Sequence, residues 1–142
     1  MDALVIQFRE RTLPPAEWTH QAHLAVAFWY AFHLHTPEAV MLQLRSDIRA
    51  YNEVCGTKNT DHSGYHETLT VFWVETVFSF LRAHPEKSMN ELLADFLQSP
   101  CSDARFPGSF YSSELLFSVP ARRQWVLPDL QPLTVLTQLC TQ

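Results

Sequence analysis

Leu24-Ala25-Val26-Ala27-Phe28-Trp29-Tyr30-Ala31-Phe32 is the longest uninterrupted apolar run in the chain, and its reading decides the fold. The run is about half of what a bilayer crossing needs, so it predicts a buried helix and not a membrane span. Working outward, Trp18, Ala22, Ala25, Phe28, Trp29 and Phe32 recur at three- and four-residue steps and make one broad apolar face. Val26, Ala27, Tyr30 and Ala31 fill much of the remaining circumference, which predicts a central helix over about 16–35, contacted on several sides. Pro14-Pro15 closes the segment before it, and Pro15 suits the first turn of this helix, where a missing N–H costs nothing.

The flanking sequence follows the same logic. Residues 1–13 read as a short helix or as an extended arm packed on the body. Thr36-Pro37-Glu38 is a cap, a first-turn proline and a dipole-matched acid, so a second long helix starts there; Gly56 ends it as a left-handed residue. A polar loop over 57–63 leads into a third helix over about 64–83, with Leu69, Phe72, Trp73, Thr76, Val77, Phe80 and Leu81 as its stripe. Ser88-Met89-Asn90-Glu91 is a capping box and opens a fourth helix that runs to Pro100. Beyond it, short helices are expected from Ser112 to about Phe117 and from Pro120 to Trp125, with a last packed one in 128–142. The expected architecture is all-α: a single domain over 1–142, a four-helix core with additional short C-terminal helices. With only three glycines, architectures that need many positive-φ turns are disfavoured.

A formal charge of −5, with Arg122-Arg123 as the only basic doublet, leaves too little positive charge to neutralise a nucleic-acid backbone or hold an anionic membrane. The first residues, with Asp2 and no long apolar run, do not read as a signal peptide. Cys55, Cys101 and Cys140 are odd in number, far apart and without CxxC spacing, which suggests reduced thiols and a cytoplasmic setting. Composition leaves the oligomeric state open.

Two stretches concentrate chemistry. Trp18-Thr19-His20-Gln21-Ala22-His23 begins the first long helix, and Asn59-Thr60-Asp61-His62-Ser63-Gly64-Tyr65-His66-Glu67-Thr68 leads into the third. His20 and His23, three residues apart, lie on one helical face. In an up-down bundle the first and third long helices run parallel, which brings their N-terminal ends together. His20, His23 and His66 then make a candidate three-histidine site for zinc, iron or manganese, with Glu67 or His62 as fourth ligand or general base. The positive end of a helix dipole keeps such histidines neutral and able to donate a lone pair. Asp61, Asn59, Tyr65, Thr19 and Glu17 are placed to orient them. The competing reading is that Ser63 caps the third helix and the polar residues form a hydrogen-bonded network. His33, His35 and His84, near helix C-termini, read as surface residues. Glu75 reads as solvent-facing or paired with Arg45, Arg49 or Arg105. For Arg105, Arg122 and Arg123, salt bridges outweigh an anionic-substrate role.

Trp18-Thr19-His20-x-Ala22-His23-Leu24 and Gly64-Tyr65-His66-Glu67-Thr68-Leu69-Thr70 resemble motifs of a family of small bacterial proteins of unassigned function. The resemblance extends through Tyr51-Asn52, Asn59-Thr60 and Trp125-Val126-x-Pro128-Asp129-Leu130, and it carries no catalytic residues with it. In architecture the chain is also similar to DinB-type bundles, which hold a divalent metal with three histidines. Those carry a single histidine first and an HxxxH pair later, whereas HxxH comes first here, so the likeness is analogy. Two functions are thus expected: a metal-dependent enzyme acting on a small molecule through activated water, as a hydrolase or transferase, or a metal-free small-molecule-binding or interaction module.

Overall fold

The computed structural model describes residues 2–141. The described residues form eight α-helices and no strand: α1 (Asp2–Glu10), α2 (His20–Leu34), α3 (Pro37–Val54), α4 (Glu67–Ala83), α5 (Met89–Gln98), α6 (Ser113–Leu116), α7 (Val119–Arg123) and α8 (Leu136–Leu139). Single 3-10 turns at Pro15–Glu17, Pro100–Ser102, Phe106–Ser109 and Leu133–Val135 join them. The fold is all-α. No helix among the described residues is long and apolar enough to cross a membrane.

Helix α2 is central because its sequence leaves it almost no polar side. Leu24, Ala25, Val26, Ala27, Phe28, Tyr30 and Ala31 are all buried, and α2 packs against α1, α3, α4 and α5. Phe28 of α2 and Phe80 of α4 both pack on Phe96 of α5, with ring centroids 5.8 and 5.2 Å away. Helix α4 divides the apolar interior. Val74, Val77, Phe78 and Phe80 join the main core, while Phe72 packs with Phe110, Tyr111, Leu116 and Leu136 in a second cluster.

Caps explain where the helices begin. Thr19, Thr36, Ser88, Ser112 and Ser118 each accept a hydrogen bond from the backbone N–H three residues on, leaving one fewer orphan donor at each start. Two boundaries differ from the sequence expectation. Pro15 opens the 3-10 turn, and α2 begins only at His20, because Thr19 supplies the cap. Helix α4 begins at Glu67 and not near Gly64, because His66 itself is its N-cap in place of Ser63. Gly56 has φ +81° just past α3, as its position at that helix end requires.

Candidate ligand-binding cavity

The two histidine-bearing stretches meet around one cavity of about 410 Å³ between α2, α3 and α4. Trp18, Tyr65 and Trp73 supply aromatic wall, and Leu24, Ala27, Leu44, Ile48, Leu69 and Val74 supply aliphatic wall. The polar lining comes from His23, Asn52, Thr57, His66 and Thr70, with Gly64 completing it. The N-terminal ends of α2 and α4 and the C-terminal half of α3 therefore share one end of the bundle. Among the described residues no Asp, Glu, Lys or Arg lines the cavity.

His23 lines this wall with one nitrogen unbonded. Its Nδ1 lies 2.7 Å from the Thr19 carbonyl. A carbonyl only accepts, so Nδ1 carries the proton and the neutral ring holds its lone pair on Nε2. Among the described residues nothing bonds that Nε2. The ring stacks on Trp18 at 3.7 Å, and Trp18 stacks in turn on Phe8 at 4.4 Å, so a three-ring pile fixes its plane. His23 keeps accessible surface, but that surface belongs to a concave wall. Removal from water holds its pKa below the ordinary value; His20 adds to this, and the Thr19 carbonyl opposes it.

His66 has no such freedom. Its Nδ1 accepts from Leu69 N–H at 3.0 Å as the cap of α4, and its Nε2–H donates to the Leu116 carbonyl at 2.7 Å. Burial holds its pKa low, and the nearby Arg122 charge reinforces this. With both nitrogens used, the ring pins α4 to α6 and offers no lone pair to a ligand.

The remaining expected site residues are spread apart. His20 leaves the cavity: its Nε2 is 2.8 Å from the Ser102 carbonyl, and it lines a separate depression with Gln98, Ser99 and Asp103. Although three residues apart on one helix, His20 and His23 are drawn off by different carbonyls. Glu67 is held by Arg45, whose Nε and Nη2 lie 3.0 and 2.7 Å from its two oxygens, and it accepts from Tyr65 Oη at 2.6 Å. Burial alone would raise the Glu67 carboxyl, but these bonds prevail and hold it below the usual range. His62 is exposed on the loop, outside the cavity. Among the described residues no three His, Cys, Asp or Glu side chains gather as a metal-ligand set. The donors present do not fit a three-histidine centre on His20, His23 and His66: both nitrogens of His66 are bound to protein, and His20 lies outside the cavity that His23 and His66 line.

The loop that closes the cavity is built by hydrogen bonds. Asn59 Oδ1 accepts from Asn52 Nδ2 and from Tyr65 N–H, each at 3.0 Å, while Asn59 Nδ2 donates to the Arg49 carbonyl. Arg122 donates to the Gly64 carbonyl at 2.9 Å, and Arg123 grips Asp61 at 2.6 and 2.7 Å. Arg105 pairs with Asp103. The expected salt-bridge role is what Arg105 and Arg123 adopt, whereas Arg122 binds loop carbonyls. Glu75, expected to be solvent-facing or paired with Arg45, Arg49 or Arg105, is half-buried with no such pair, and burial raises its pKa. His84, expected at the surface, is partly buried with its Nε2 unbonded.

Trp18 and Trp73, which spacing assigned to apolar helix faces, line the cavity, as does Thr57, which no sequence pattern singled out. Trp73 sits within the apolar stripe of α4, where nothing in the sequence separates a cavity wall from a core position. The chain matches no known family model, no curated protein and no solved structure.

Proposed function

We propose that this protein binds an uncharged small molecule in the α2–α3–α4 cavity, with His23 Nε2 accepting a hydrogen bond from it. The observation that carries this reading is the chemistry of the lining. Three aromatic rings and an aliphatic floor offer area to a flat apolar group, and no ionised side chain is present to neutralise a charged one. Tyr65 Oη, Thr70 Oγ1 and both His66 nitrogens are already committed within the protein. Asn52 and Thr57, each with a side-chain oxygen, also line the wall. His23 Nε2 is its one imidazole acceptor with a free lone pair among the described residues, and its Nδ1–H bond and the Trp18 stack set the ring in advance.

The test compares indole, which has an N–H donor, with 1-methylindole, which has none, using isothermal titration and tryptophan quenching. Both are expected to bind the wild type, with indole favoured by about 1 kcal/mol. In His23→Leu that preference disappears while apolar binding persists, and Ile48→Trp, which fills the wall, removes both. Failure of either probe to bind, or an indole preference that survives His23→Leu, overturns the reading. A zinc, iron or manganese site remains the rival account of the same stretches. It has the free Nε2 of His23 in its favour, and against it the two bound nitrogens of His66 and the placing of His20 in a separate depression. One equivalent of metal in protein purified without chelator or His-tag, lost in His23→Leu, would displace the small-molecule reading.

A further inference from the structure

Cys101 and Cys140 lie far apart in sequence, yet their sulfurs are 3.6 Å apart. Both are buried, at 3% and 1% exposure, and both are free thiols. Cys101 sits in the 3-10 turn Pro100–Ser102, which follows α5 and whose Ser102 carbonyl holds His20. Cys140 caps the C-terminal end of α8, a single turn packed on α4. Among the described residues no disulfide joins these two segments, and neither thiol lines the cavity.

We propose that Cys101 and Cys140 form a redox-active dithiol that closes to an intramolecular disulfide with a peroxide oxidant, locking α8 to the turn after α5. The Cys140 thiol donates toward Cys101 Sγ, so Cys101 carries the greater thiolate character and meets the oxidant first. Its sulfur attacks one peroxide oxygen, the O–O bond breaks, and Cys101 becomes a sulfenic acid as the other oxygen leaves as water. Cys140 sulfur then attacks the sulfenic sulfur, the S–O bond breaks, and a second water departs. Two electrons pass from the two sulfurs to the peroxide, and the two thiol protons end in the waters. Because α8 is one turn, local opening admits a small oxidant well short of global unfolding. The closed sulfurs must approach by less than the width of one atom, which side-chain rotation can supply.

The consequence is a stability switch. The link closes a loop of about 40 residues, and restricting that loop in the unfolded chain corresponds to a Tm rise on the order of 10 °C. Cys55, only partly buried at the end of α3, lies outside the pair and serves as an internal control.

The experiment treats the reduced full chain with a small excess of hydrogen peroxide. Thiols are then counted in guanidinium, the non-reduced digest is mapped by mass spectrometry, and Tm is read with and without dithiothreitol. The expected result is a thiol count falling from three to one, a Cys101–Cys140 cross-linked peptide, and a higher Tm that the reductant reverses. Cys55→Ser retains the whole response and Cys101→Ser loses it; should Cys101→Ser not fold, the peptide map of the unaltered chain decides alone. Three thiols persisting in the folded protein, a link to Cys55 or between chains, or a Cys101–Cys140 link that leaves Tm unchanged would each overturn the proposal. None of these outcomes bears on the cavity.

Discussion

At the scale of single residues, His66 and His23 share one chemistry and differ in which nitrogen is committed. In His66 the Nδ1 lone pair is the cap of α4, so protonation turns an acceptor into a donor facing another donor. Its folded pKa is depressed by burial and by Arg122. A depressed histidine contributes stability that is fully present above its unfolded value of about 6.5 and is lost as pH falls through that value toward the folded one. Denaturant midpoints should therefore be flat from pH 8 to 7 and decline below about 6.5, with His23 adding a decline of the same sign. His66→Asn, which can still cap a helix, is expected to shallow this decline while costing about 1 kcal/mol at pH 8 for the lost Leu116 bond. His66→Ala should cost about 2 kcal/mol at pH 8, because cap and cross-link both go. An unchanged pH slope in His66→Asn would show that the cap does not control it. The sequence pointed to both histidines but not to their unequal roles, since that difference rests on two carbonyls, Thr19 and Leu116, that no side-chain pattern reveals.

At the scale of elements, the caps and breaks were legible in the sequence wherever the capping residue is of a usual type. Ser88 with Glu91 and Thr36 with Pro37 marked helix starts that the structure reproduces. The start of α4 was misplaced because its cap is a histidine, outside the group of small oxygen-bearing residues that signals an N-terminus. The loop between α3 and α4 shows the same limit: its polarity was visible, but its shape comes from Asn59 bonding to three partners. Two glycines bracket this loop with nearly equal φ, +81° at Gly56 and +77° at Gly64, and very different surroundings. A Cβ at Gly56 meets nothing within 4 Å, whereas one at Gly64 would lie 2.6 Å from the Lys58 carbonyl oxygen and 2.9 Å from Asn59 Cα. Gly56→Ala should cost about 1 kcal/mol, the conformational penalty alone. Gly64→Ala should cost about 3 kcal/mol, since backbone must also move. Chemical denaturation of both variants measures the difference. Equal costs would mean that the loop is looser than its hydrogen bonds imply.

At the scale of the whole molecule, the apolar run at 24–32 did decide the fold, because a helix without a polar side must be surrounded. What the sequence did not disclose is that the core is divided at α4. Phe72 and Trp73 are neighbours on that helix: Phe72 is fully buried in the second cluster, and Trp73 packs against both clusters and lines the cavity. Phe106 and Leu139 are likewise shared by both clusters. The shared residues couple the C-terminal third to the bundle, so the two clusters should unfold together. Phe72 touches Trp73, Phe106, Phe110 and Tyr111, with ring centroids 5.2 to 6.2 Å away. Phe72→Ala is thus expected to cost about 3–5 kcal/mol, whereas Phe117→Ala, at a residue 67% exposed, should stay within about 0.5 kcal/mol. The informative readout is the shape of the Phe72→Ala transition. Tryptophan fluorescence and far-UV circular dichroism should fall on one curve, shifted to lower denaturant with an unchanged slope. Two separated steps would mean that the second cluster folds on its own, and that the cavity end of the bundle does not depend on it.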